Sequence, residues 1–593
     1  MEIANPIDET TLQQALINLR KDHPRLVATP ERVAALRAAP PDSPAARFVT
    51  VVAEQAEKLL PLPPVTYEKE GRRLLHVSRE VLRRITHLGL AWLCSGDPRF
   101  VRRAEAEIFA VRDFADWNPS HYLDVAEMSL AIAFAYDWLY HGLSPAARAA
   151  AHDALKQHAF GTAFPPEGAY WAHSRNNWGQ VCHGGLAAAA LALYEDETDI
   201  AFRILHRAVN YIQISAAAYA PIGVYPEGPM YWEYGTSFQV VMVEILRSAL
   251  NNDLGLTAMP GFMESAAVVL HETGPGGHVY GFADGGSVRR NLKLLRWFAA
   301  EGAVTLPADA LEHEIGPASP RGLGRLTALD AFWLNKIAPL STVTNLPLDL
   351  HGAGKQPVVT MRSEWSAPHA WYVGVKGGSP QGPHGHMDGG SFILEARGVR
   401  WVIDPGCENY HKIESLGMGL WDNHQESDRW RIFRLSTTAH SIPRINQAQQ
   451  QVTGFAELVE CQLNNDSPCC RWNLSSLYPA AAAVERRFDF PNRHALHVTD
   501  SFCRLAADTR VSWSFATEAT VETYPDDPTQ ITLHQNDQTL TLCVSASAPG
   551  LWQVVPANTL MQPYDTPMDR LNVVSYELTT PTAGDLTIAV RFM

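Results

Sequence analysis

From residue 11 to residue 338, apolar side chains recur three and four positions apart, the period of a helix with one buried face. The segments 81–94, 122–140, 146–158 and 177–194 show it most clearly. Ser144-Pro145 is a start signal, an N-cap hydroxyl followed by proline at the first helical position. Asp, Asn, Pro and Gly mark 113–119 and 161–168 as loops. Many Ala-rich helices joined by short loops predict a bundle, a solenoid or a helical toroid. No strict repeat of about 30–45 residues is visible, which weakens the solenoid.

After Leu346-Pro347-Leu348 the period changes to two. Segments 370–375 and 391–403 alternate or run apolar, and Ala396-Arg397-Gly398 supplies a tight turn within the second. Further strands are expected over 483–490, 494–502, 509–515, 539–545 and 585–592. Helices followed by strands predict two domains rather than an interleaved sheet, a multidomain α+β chain divided into 1–345 and 346–593.

Composition narrows the class without changing this outline. The 593 residues are 46% hydrophobic and 19% charged, which suits folded domains and excludes a disordered or fibrous chain. The longest apolar run, 181–194, is broken by His183, Gly184 and Gly185 and falls short of the ~18–20 residues that cross a bilayer. The first residues lack a signal peptide's basic start and apolar stretch, so a soluble cytoplasmic protein is expected, or a periplasmic one if a leader was trimmed. Lys plus Arg is 48 and Asp plus Glu is 63, a net charge of 48 − 63 = −15. Such a surface disfavours nucleic acid but permits an anionic substrate in a basic pocket. Eight cysteines without a CxxC pair indicate neither a zinc ribbon nor a thioredoxin motif.

Four stretches carry candidate chemistry. His384-Gly385-His386-Met387-Asp388-Gly389-Gly390 precedes a strand pair that ends in Ile403-Asp404-Pro405-Gly406. On extended backbone, His384 and His386 point to one side, Asp404 returns near them, and His440 offers a third nitrogen. Two imidazoles and a carboxylate suit zinc or a similar divalent ion, and surface hydrogen bonding is the alternative. Ser174-Arg175-Asn176-Asn177-Trp178 opens an apolar helix, either as an N-cap beside a buried Trp or as neutral donors to a carboxylate or sugar hydroxyl. In Glu227-Gly228-Pro229-Met230-Tyr231-Trp232-Glu233-Tyr234, the tyrosines three apart share a helix face, as core aromatics or as a sugar-stacking and proton-transferring pair. The stretch from Trp421 to Arg434 is long for a hairpin loop, and its arginines can meet carboxylate or sulfate.

Taken together, these segments resemble the heparinase II/III-like polysaccharide lyases, a superfamily of heparin, heparan sulfate and alginate lyases with a related uronyl epimerase. The resemblance also includes His23-Pro24-Arg25-Leu26 and Thr29-Pro30-Glu31-Arg32 near the start, and it is most specific from His384 to Gly406. It implies an incomplete (α/α) toroid followed by an antiparallel β-sandwich. It implies metal ligands at His386, Asp404 and His440, the metal being Zn2+ in a structural role, and catalytic groups at Tyr234, His384 and Asn177. Tyr231 competes with Tyr234 for the catalytic place. Asn176, Tyr231, Glu227 and Arg434 are the implied substrate-binding residues.

The implied reaction is β-elimination from a uronic-acid glycan, either a glycosaminoglycan such as heparin or heparan sulfate, or alginate. The C5 proton is removed, donors stabilise the enediolate, and the C4 substituent leaves. Asn177 is the expected donor to the carboxylate, assisted by His384, and Tyr234 is the expected base. A phenol with an ordinary pKa near 10 needs a nearby cation for that. A cytoplasmic enzyme is expected to act from chain ends on oligosaccharides, possible as a homo-oligomer, with no nucleic-acid or membrane partner. The competing readings are a uronyl epimerase, a glycoside hydrolase drawing its carboxylates from Asp388, Glu227 and Asp284, and a non-catalytic carbohydrate-binding protein.

Overall fold

The computed structural model describes residues 3–166, 170–286, 292–306, 323–337, 346–365 and 367–593. Its contacts divide the chain into two compact units. The first comprises Met1–Ala218, Trp232–Ala266 and Asn291–Thr342, and the second Tyr219–Tyr231, Ala267–Arg290 and Val343–Met593. The boundary expected at 345/346 borders 338–345, which lies outside the described residues.

The first unit is helical. Four of its helices open alike, with Thr29, Ser43, Asp97 or Ser144 accepting a backbone N–H ahead of a proline at the first turn. Outer helices bury a stripe: Pro44–Leu59 turns Ala45, Phe48, Val52, Ala56 and Leu59 inward. Inner helices are apolar on every side. All of Leu123–Trp138 is buried, and it packs on Leu75–Ser95 and Asn177–Ala192. The helix expected over 146–158 is instead Pro145–Ala154 followed by a π-helical turn at Leu155–Phe160. The loop expected over 161–168 is turn and bend as far as 166, and 167–168 lie outside the described residues.

In the second unit the described residues form three antiparallel sheets. One is a meander of Leu350–Gly352, Val358–Arg362, Tyr372–Lys376, Phe392–Ala396 and Val399–Val402. The expected turn sits between the last two strands, with Arg397 and Gly398 both at positive φ. An eight-stranded sheet contains Ala483–Asp489, Leu496–Leu505, Gln538–Ala546 and Gly584–Phe592, all foreseen, and Glu457–Gln462, Cys469–Asn473, Thr520–Thr523 and Gln530–Gln535, which were not. The third sheet joins Arg510–Thr517 to Pro443–Ile445, Gly550–Pro556 and Asn572–Thr579. Phe392, Trp401, Phe488, Phe502, Trp513 and Phe592 fill a common core. A second cluster explains why earlier segments belong to this unit: Val224, Val268, Tyr280 and Phe282 pack on Val358, Tyr372 and Ile393. Among the described residues no helix is long and apolar enough to cross a membrane.

Candidate metal centre and active-site residues

His386, Asp404 and His440 converge in the second unit, fully buried, with one ligand atom from each within 4.8 Å of the others. His386 Nδ1, both nitrogens of His440 and Asp404 Oδ2 lack hydrogen-bond partners, and His440 Nδ1 stands 3.6 Å from Asp404 Oδ2. Buried polar atoms are ordinarily bonded, so unpartnered donors and acceptors around one point fit a divalent cation. Burial raises Asp404, but the His440 imidazole close by outweighs it and holds the carboxyl below its usual range. Burial lowers His386, and Asp284 offsets part of that. Both directions favour the ligand forms, carboxylate and neutral imidazole.

The loops bearing these ligands are clasped from behind. Arg486 makes a two-pronged pair with Asp500 at 2.8 Å and donates through Nη1 to Gly390 O at 3.0 Å and Ser441 O at 2.7 Å. Gly390 closes the His386 loop and Ser441 follows His440. Asp388 pairs with the buried Lys376.

His384 departs from the extended geometry expected of it. It lies in a turn at φ 58°, a left-handed conformation uncommon for a residue with a Cβ, so strand alternation does not aim the two imidazoles. Asp284 aims them. Its Oδ1 is 2.9 Å from His386 Nε2 and its Oδ2 is 2.9 Å from His384 Nδ1. Arg429 donates to Asp284 Oδ2 at 3.2 Å and to Gly385 O at 2.8 Å. Burial raises Asp284, but the Arg429 charge and the two imidazoles hold it well below the usual carboxylate range.

Two motif glycines bring the neighbouring segments in. Gly228, at φ 82°, lies so close that a Cβ would stand 2.6 Å from Phe282 O, and one on Gly406, at φ 70°, would stand 2.8 Å from Gly285 O. Glu227 thereby reaches the far nitrogen of His384, with Oε2 3.3 Å from Nε2. The ring of Tyr231 stacks on His384 at 4.0 Å, and its hydroxyl bonds Tyr410 at 2.9 Å. Trp421, 44% exposed, meets His384 edge-on at 5.6 Å.

In the first unit, Asn176 is the N-cap of Asn177–Ala192, accepting from Trp178 N at 3.1 Å, and Asn177 is buried at the first helical position. Tyr234 donates to Glu127 Oε1 at 2.8 Å. Glu127 is fully buried, accepts from Arg79 Nε at 2.9 Å and pairs with Arg325 at 2.5 Å. Both guanidiniums lie over the Tyr234 ring, at 4.8 and 5.2 Å. The cations needed beside a catalytic tyrosine are thus present, yet burial and Glu127 push the phenol well above its ordinary pKa against their pull. At rest Tyr234 is a proton donor. Arg434 donates to Pro405 O at 2.7 Å and Thr566 O at 3.3 Å and faces Glu408 at 3.5 Å, so it braces the segment after Asp404.

Residues 359–560 match the family model of the heparinase II/III-like C-terminal domain. That match lies within the second unit and includes His384, His386, Asp404 and His440. No curated protein sequence matches the chain. Among solved structures, a heparan sulfate lyase mutant from Pedobacter heparinus is 14% identical with a TM-score of 0.59, over 98% of this chain and 88% of that one. A heparinase III structure is 13% identical with a TM-score of 0.59, over 98% and 93%. The Streptomyces coelicolor chondroitin AC lyase bound to chondroitin sulphate is 12% identical with a TM-score of 0.50, over 94% and 81%. At such identities the likeness establishes the fold, the incomplete (α/α) toroid followed by an antiparallel β-sandwich.

The convergence of His386, Asp404 and His440 follows the sequence motifs, whereas the contact of His384 with Glu227 was not expected from them. Tyr410 carried no signal, Arg429 was marked only as one arginine of the 421–434 stretch, and Asp284 stood out only as one carboxylate among three. In the helical unit, the links from Tyr234 to Glu127, Arg79 and Arg325 were likewise unmarked.

Proposed function

We propose that the protein is a polysaccharide lyase that cleaves uronic-acid glycans by β-elimination. The observation that carries this reading is the engagement of every candidate carboxylate. Asp284 is held by two imidazoles and Arg429, Asp388 by Lys376, and Glu227 stands against His384. A glycoside hydrolase needs two carboxylates free to act across the scissile bond. An elimination needs a proton-transferring group and donors to the substrate carboxylate, and Tyr234, Asn177 and His384 are residues of those types.

In the proposed chemistry Tyr234 exchanges the C5 proton. Its own proton passes to Glu127, the phenolate formed beside Arg79 and Arg325 removes the C5 proton, and the C4 oxygen is then protonated by Tyr234 or His384 as the C4–O bond breaks. Asn177, assisted by His384, donates to the uronate carboxylate as charge develops there. Tyr231 and Trp421 offer ring faces to sugar. His386, Asp404 and His440 would hold zinc, which anchors the loop bearing His384. Heparin or heparan sulfate, other glycosaminoglycans and alginate are the substrate classes, with action from chain ends.

The test is incubation of the purified protein with heparin, heparan sulfate, hyaluronan, chondroitin and alginate oligosaccharides while ultraviolet absorbance is followed. Elimination leaves an absorbing unsaturated uronate, and exo action releases one small product from the outset. Cleavage without absorbance contradicts the reading. Exchange at C5 in heavy water without cleavage identifies an epimerase instead.

A further inference from the structure

One carboxylate serves both imidazoles of the His384-Gly385-His386 turn. Asp284 is completely buried, with Oδ1 at 2.9 Å from His386 Nε2 and Oδ2 at 2.9 Å from His384 Nδ1. Arg429 fixes it twice over, through the 3.2 Å contact to Oδ2 and through bonds from Nε and Nη2 to the carbonyl of Gly385 between the two histidines. A carboxylate so placed only accepts, so each histidine must donate from the nitrogen facing it. His386 then carries its proton on Nε2, and Nδ1 is left with a lone pair. That nitrogen has no partner, and His386 belongs to the group that converges with Asp404 and His440. His384 in turn donates from Nδ1, while its Nε2 stands 3.3 Å from Glu227 Oε2.

We propose that Asp284 is a positioning residue that couples the metal centre to His384. It selects the tautomer in which His386 offers Nδ1 to a divalent cation, and the same carboxylate holds the ring of His384. A change at either imidazole must therefore be felt at the other, since coupling between two sites through one shared element is reciprocal. The proposal rests on the metal-binding part of the reading above and is independent of the elimination chemistry.

The experiment is a double-mutant cycle read in zinc affinity, with Zn2+ alone titrated against a chromophoric chelator. Asp284→Asn keeps the side-chain volume but puts an amide N–H against one of the imidazole N–H groups. It is expected to weaken zinc binding about 10–100-fold, the usual consequence of losing such a partner to a metal-bound histidine. His384→Ala is expected to change zinc affinity about fivefold or more in the wild-type background and to have no further effect in the Asp284→Asn background. A purely structural role for Asp284 predicts additive effects. Should Asp284→Asn fail to fold, Arg429→Lys replaces it in the cycle, because it loosens Asp284 without touching either imidazole. Additive effects, wild-type affinity in both Asp284→Asn and Arg429→Lys, or a wild-type protein that binds no zinc would each overturn the proposal. Zinc binding that survives Asp284→Asn unchanged rejects the coupling alone and leaves the metal centre standing.

Discussion

Replacing Tyr234 by Phe removes one oxygen and keeps the ring between Arg79 and Arg325. In the folded protein that oxygen donates to Glu127 at 2.8 Å, and hydrogen bonds to charged groups contribute about 1.5–3 kcal/mol. Glu127 keeps its contacts to Arg79 and Arg325, so no buried charge is left unpaired and the stability loss should stay near the lower figure. The chemical step should suffer far more. A positioned proton-transfer group contributes roughly 10²–10⁴ in rate, so kcat should fall by that factor, equivalent to about 3–5 kcal/mol of barrier. KM should change little, because Phe leaves the packing and both guanidiniums in place. Tyr231→Phe is the matched control. It loses the 2.9 Å bond to Tyr410 and keeps the 4.0 Å stack on His384, so kcat should fall about tenfold or less. Initial rates of ultraviolet absorbance, alongside urea unfolding midpoints, separate chemistry from stability. A Tyr234→Phe enzyme that retains more than about a tenth of kcat would refute the assignment. If Tyr231→Phe is also inactive in that case, proton transfer belongs to Tyr231.

Three further perturbations follow from particular contacts. His386→Ala should abolish stoichiometric zinc in elemental analysis and lower the thermal midpoint, as should chelator treatment of the wild type; a midpoint indifferent to both would argue against a structural metal. Arg486→Met strands the fully buried Asp500 and frees Gly390 O and Ser441 O, so urea unfolding should show a loss of about 3–5 kcal/mol, and a loss below about 1 kcal/mol would contradict the clasp. Burial pushes Glu272, whose Oε1 has no partner, up to about 8, so the folded state binds the extra proton and stability should fall as pH rises from about 4.5 to about 8. Glu272→Gln should flatten that part of the urea midpoint profile by up to roughly 5 kcal/mol, and parallel profiles for wild type and variant would show that Glu272 titrates normally.

The legible parts of this protein are those encoded locally. Leu75–Ser95 announces itself by period over 81–94, Asn177–Ala192 by period and by its Asn176 cap, and the Arg397-Gly398 turn by its dipeptide. Glu457–Gln462 was missed because it is half-exposed with charges at both faces, and Pro443–Ile445 because three residues carry no period. The same division holds at the site. His386, Asp404 and His440 sit in recognisable motifs, whereas Asp284 lies 100 residues from His384 and Glu127 lies 107 from Tyr234. Those pairings are made by packing. Gly228 and Gly406 against the 282–285 segment create the first, and a spacing rule applied along the chain has no access to such contacts.

The proposed reaction breaks the glycosidic C–O bond by elimination, without water entering the product. Cleavage of a defined uronate oligosaccharide in heavy-oxygen water, followed by mass spectrometry of both fragments, tests it directly. Elimination predicts fragment masses that sum to the intact substrate, an unsaturated uronate at the new non-reducing end and no heavy oxygen in either fragment. One heavy oxygen at the cleaved bond, with fragment masses that sum to the substrate plus one water, would contradict it.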